Sequence, residues 1–147
     1  MTKMNPLKKV AFDIENIPQI VLLHYPSVQG IYKFGSYGTE GERPDSDVDI
    51  SLLLPHEQAR KEKSLTLSQC RFDLEVALCK TVDLLNARQV STVFQMEIVS
   101  CGELIYCADR YAVDEFEMLV ISYYQKLNEE RREILEAFYR TGRAYAV

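Results

Sequence analysis

The chain of 147 residues is 47% hydrophobic and 27% charged, the proportions of one soluble globular domain with enough apolar residues for a sizeable core. Its formal net charge of −5 argues against a long nucleic acid as ligand, because a phosphate backbone is held chiefly by Lys and Arg. The longest apolar runs, IVLL at 20–23 and ISLLL at 50–54, fall far short of the roughly 20 residues of a membrane span. Asp13 and Glu15 interrupt any secretory signal near the start, so a cytoplasmic protein is expected.

In chain order, NIPQIVLLHY at 16–25 reads as a short helix with Asn16 as its cap and Pro18 in the first turn, ended by Pro26. GIYKF at 30–34 alternates and is rich in β-formers, so it is a strand that runs straight into Gly35-Ser36. DVDISLLL at 47–54 is the next strand, stopped by Pro55. A polar connection follows, and then Leu67, Cys70, Leu74 and Leu78 recur at helical spacing. TVDLL at 81–85 suits a third strand, ARQVSTVFQMEIVSC another helix ended near Gly102, and ELIYC a short strand or extended segment. From about Tyr111 to Arg140, Phe116, Leu119, Val120, Tyr123, Leu127, Ile134, Leu135 and Phe138 trace a long amphipathic helix. NEERRE at 128–133 interrupts its stripe, either as a solvated stretch with a bend between two helices or as a helix end that meets a partner.

These elements make one α+β domain over 1–147, a small mixed sheet flanked by helices, with its core at about 16–107 and a C-terminal helical segment at about 110–141. The cysteines at 70, 79, 101 and 107 form no CxxC pair and read as reduced core residues. His24 and His56 are far apart in sequence, which disfavours a Cys/His zinc site.

The chemistry concentrates in GSYGTEGERPDSDVDI, 35–50. Alternate side chains of a strand share a face, so Asp47 and Asp49 stand together with Val48 and Ile50 opposite. Two like charges there either raise each other's pKa or share a divalent cation as oxygen ligands, although a solvent-facing DVDI edge would read the same. Ahead of them, Gly38 and Gly41 free the backbone so that N–H groups can converge on an anion, and Ser36 adds a hydroxyl donor. No Gly-Lys-Ser/Thr follows and the glycines do not match GxGxxG, so neither a P-loop ATPase nor a dinucleotide fold is supported. Asp83 is the one acid within the apolar run TVDLL, where a charge is hard to keep without a partner, though an ordinary strand-end acid is the plainer alternative.

Gly35-Ser36, ten residues, then Asp47-x-Asp49 resembles the signature of the DNA polymerase β-like nucleotidyltransferases. That resemblance implies a nucleotide site opened by Gly35 and Ser36, three adjacent strands, and Asp47, Asp49 and Asp83 as catalytic carboxylates on two Mg²⁺ ions roughly 3.5 to 4 Å apart. The sequence departs from the family at Thr39 and Glu40, where many members have Arg and Gly, so a phosphate contact by that Arg is in doubt; Arg43 is either its substitute or a surface salt-bridge residue. The chain after Asn86 is short and acidic for a nucleic-acid domain, and it resembles the minimal nucleotidyltransferases that serve as antitoxins of HEPN ribonuclease toxins. The resemblance then implies transfer of AMP from ATP to a tyrosine of such a toxin, and leaves homo- or hetero-oligomers open. Two alternatives stand beside it: transfer to a small molecule, as in aminoglycoside nucleotidyltransferases, and a non-catalytic antitoxin that neutralises by contact through its C-terminal helix.

Overall fold

The computed structural model describes residues 6–35 and 47–142, with side chains from residue 15 onward. The elements run α1 (Pro6–His24), β1 (Gly30–Phe34), β2 (Val48–Leu53), α2 (His56–Glu62), α3 (Gln69–Leu78), β3 (Val82–Asn86), α4 (Thr92–Cys101), β4 (Glu103–Cys107) and α5 (Arg110–Thr141). The four strands form one sheet in the order β3-β2-β1-β4. β1 is antiparallel to both β2 and β4, whereas β2 and β3 are parallel. Parallel neighbours need a crossover, and α2 with α3 supplies it. The expected α+β fold with a small mixed sheet and a long C-terminal helix is therefore found.

Alternation along β2 divides the core in two. Val48, Ile50 and Leu52 join Ile31, Val82 and Leu84 beneath α1 (Ile17, Val21) and α3 (Cys70, Leu74, Leu78). Leu53 and Tyr32 face the other way and pack with Ile98 of α4 and Val113, Phe116 and Val120 of α5. Side-chain caps fix where three helices start: Ser68 accepts from the Arg71 N–H, Ser91 from Phe94 and Asp109 from Ala112.

Several expectations need correction. α1 starts at Pro6, so Asn16 is not its cap and Pro18 lies inside the helix; Ile17 and Val21, both fully buried one turn apart, hold the helix through the proline. The polar connection after Pro55 contains α2, which carries only one buried residue, Ala59, and so shows no apolar period. Leu67 is not on the buried face of α3 but precedes the helix and is exposed. α4 begins only at Thr92, because Ser91 caps it and Ala87 still belongs to the end of the third strand's ladder. α5 is one helix with no break, and Asn128 to Glu133 are all exposed on it, so this is a solvated stretch without a bend. All four thiols are free, but only Cys70 is a core residue; the other three sit exposed at helix and strand ends. Among the described residues no helix is long and apolar enough to cross a membrane.

Candidate active site

β1 ends where β2 begins its antiparallel return, so the end of β1 and the start of β2 come together at one end of the sheet. In this register Phe34 lies opposite Asp49, and on the other side of β2, Asp49 is paired with Asp83 of β3. A parallel pair in register presents both side chains on the same face. Asp49 and Asp83 are thus strand neighbours on the α4/α5 face, beyond the point where Leu53 and Tyr32 fill it. Asp47 is exposed and stands just ahead of β2.

The other two carboxylates act on Asp49. The Asp49 carboxyl is held above its ordinary value, first by burial and then by the charges of Asp83 and Asp47. Gly35 accounts for the placement of Asp49. It takes a φ of +86°, the left-handed region that favours glycine, and a Cβ built on it would collide with Asp49 Oδ2. The backbone at the end of β1 therefore passes directly against the carboxylate.

The wall beside these acids is aromatic. Phe34 and Phe94 meet edge to face with centroids 5.8 Å apart, which ties the end of β1 to α4. One pleat further in, the buried Tyr32 hydroxyl donates to Glu117 Oε1 at 2.8 Å and its ring packs on Phe116. Burial, with Glu117 next, pushes that phenol well above its usual range. Tyr32 thus anchors the site floor to α5 and is no candidate for proton transfer.

Of the residues singled out from sequence, Gly35, Asp49 and Asp83 are assembled at one place, with Asp47 close enough for its charge to act on Asp49. Ser36, Gly38, Gly41 and the 39–43 segment with Arg43 lie outside the described residues. Sequence reasoning missed Phe34 and Phe94, for which the only signal was an aromatic directly before Gly35-Ser36. Among the described residues, no three His, Cys, Asp or Glu side chains are already closed around a metal-sized point. The donor set nevertheless fits a hard divalent cation: every donor is a carboxylate oxygen, and a cation would offset the burial and the neighbouring charges of Asp83 and Asp47 that raise the Asp49 carboxyl.

The sequence profile described as "Polymerase beta, Nucleotidyltransferase" matches residues 15–111. The protein adenylyltransferase MntA of Shewanella oneidensis is 31% identical over 137 residues, covering 92% of this chain and 88% of that protein. Among solved structures, a toxin–antitoxin with AMP-PNP superposes with a TM-score of 0.66 at 29% identity, over 86% of this chain and 98% of that chain. A tri-AMPylated Shewanella oneidensis HEPN toxin in complex with its MNT antitoxin matches with a TM-score of 0.64 at 27% identity, over 88% of this chain and 98% of that chain.

Proposed function

This chain belongs to the polymerase β nucleotidyltransferase family, and from that premise we propose that it transfers AMP from ATP to a tyrosine hydroxyl of a HEPN ribonuclease toxin, acting as its antitoxin in the cytoplasm. The observation that carries the reading is the pairing of Asp49 with Asp83 on adjacent parallel strands, with Gly35 packed against Asp49. The resemblance to an adenylyltransferase and to antitoxins seen with AMP-PNP and with an AMPylated toxin supports the donor and the acceptor class.

Asp47, Asp49 and Asp83 would hold two Mg²⁺ ions, which when bound neutralise triphosphate charge and make the acceptor hydroxyl easier to ionise. Gly35 leaves the carboxylate of Asp49 unobstructed, and with Ser36 it begins the segment that receives the triphosphate. Asp83 is exposed on the outer strand, where it can meet an acceptor side chain and take its proton. The tyrosine oxygen then bonds to the α-phosphorus, the bond from that phosphorus to the bridging oxygen breaks, and pyrophosphate leaves. No covalent enzyme intermediate is required.

A second reading, neutralisation by contact, draws on α5. Its distal half carries Ile134, Leu135 and Phe138, each about half exposed and uncovered by the domain. One experiment separates the two readings: incubate the full chain with Mg²⁺, ATP and the cognate toxin, then measure toxin mass and ribonuclease activity. Added AMP that disappears with Asp47→Asn and Asp49→Asn supports transfer. An inhibited toxin of unchanged mass supports contact alone.

A further inference from the structure

We propose that the distal half of α5 is a self-pairing surface, on which a second copy of this chain lies antiparallel, with the two-fold axis between Glu130 and Arg131. The pairing is independent of the proposed AMP transfer.

The apolar stripe of α5 outruns its cover. Steps of three, four and seven residues return to one face of a helix, so Val113, Phe116, Val120, Leu127, Ile134 and Phe138 lie along one line. The domain buries only the first three. From Ile121 to Glu136 no residue of α5 is buried, and Tyr123, Ile134 and Phe138 are 57%, 46% and 43% exposed. That leaves about 24 Å of helix with an apolar face in water, although packing such a face is the main source of helix stability.

The charges that interrupt this stripe are ordered. Glu129, Glu130, Arg131 and Arg132 run as two acids followed by two bases. All four are exposed, and Arg132 reaches Glu129 along the helix at 3.9 Å, whereas Glu130 and Arg131 make no ion pair among the described residues. An antiparallel copy reverses the order, so the axis sets Glu130 against Arg131 of the second copy and Glu129 against its Arg132, and symmetry repeats both contacts. A parallel copy in register would oppose acid to acid and base to base, which disfavours it.

Helix length and side-chain size agree with the same axis. The stretch beyond the covered turns, Ile121 to Thr141, is centred on Arg131. Around the axis Leu127 comes level with Ile134 of the second copy, Tyr124 with its small Ala137, and Tyr123 with its Phe138. Tyr123 and the half-exposed Leu119 also border a cavity of about 200 Å³ beside Arg88, which leaves room for that Phe138 ring. Thr141 of the second copy comes level with Val120, the last residue of the covered stripe. The second helix thus takes up the face of α5 where the domain's own cover stops, and the two domains stand at opposite ends of the pair.

The test follows the mass of the full chain against concentration by analytical ultracentrifugation, with native mass spectrometry of mixtures. The unmodified chain should associate to a dimer as its concentration rises into the high micromolar range, and less so in high salt. Arg131→Glu and Glu130→Arg each place like charges across the axis and should weaken self-association about tenfold or more. Mixed together, these two variants should form a heterodimer, because the added acid of one then faces the added base of the other. Both positions are exposed, so circular dichroism should find each variant folded, and recovery on mixing separates lost pairing from lost structure. A chain that stays monomeric throughout, single variants that self-associate as well as the unmodified chain, or a mixture without heterodimer would overturn the proposal. A monomer that binds the cognate toxin through Ile134 and Phe138 would overturn it as well, in favour of the toxin as occupant of this face.

Discussion

On one face of β2, Val48, Ile50 and Leu52 are fully buried between α1 and α3; on the other, Asp49 stands in the open half of the α4/α5 face with Asp83 beside it. The same six residues build both, because successive side chains of a strand go to opposite sides. The closed face can hold the strand in register at full packing density, which allows the other face to crowd like charges that repel. The difference teaches that stability and reactivity here are separable by a single residue step, and substitution can break that separation at either end.

The largest expected effect is on the reactive face. Asp49→Asn should abolish nucleotide transfer while the protein stays folded, as read by toxin mass and circular dichroism; full activity would refute the catalytic assignment. Its neighbour should do the reverse. Ile50→Ala removes a fully buried side chain and should cost about 2–5 kcal/mol in urea unfolding, with transfer per folded molecule retained.

Two glycines of positive φ sharpen the same contrast. Gly35→Ala should cost about 1–3 kcal/mol in strain and also lose transfer, because the new methyl displaces the Asp49 carboxylate. Gly142→Ala, at a φ of +73° after α5 with nothing within 4 Å of the added methyl, should cost only the strain and leave activity alone. Equal activity losses would mean that the contact with Asp49 is irrelevant.

How far the sequence discloses each face follows from how each is encoded. β1, β2 and the α3 stripe were legible because alternation and helical spacing are local patterns. The pairing of Asp49 with Asp83 was implied by family resemblance, since residues 34 apart meet only through strand order. The contact of Gly35 with Asp49 was not readable, for the glycine's role as a turn residue says nothing of what lies against its Cα. α2 was hidden for a further reason: its single buried residue, Ala59, leaves no period to detect.

The smallest expected effect concerns pH. Asp49 has a carboxyl raised above its ordinary value, so the folded state holds that proton more tightly than the unfolded chain. Below the unfolded carboxyl's range both states are protonated and the crowding carries no penalty. As pH rises through the elevated folded value, the charge appears beside Asp83 and Asp47 and stability falls, reaching its full loss above it. Asp49→Asn should therefore melt slightly higher than the unmodified protein at pH 7, with the gap closing toward acid. Mg²⁺ should raise the melting temperature of the unmodified chain at pH 7 and do so less in Asp49→Asn, because the cation relieves the same repulsion that the amide removes. A variant that melts lower at neutral pH would show that Asp49 is held by a stabilising partner instead, and the two faces of β2 would then both be structural.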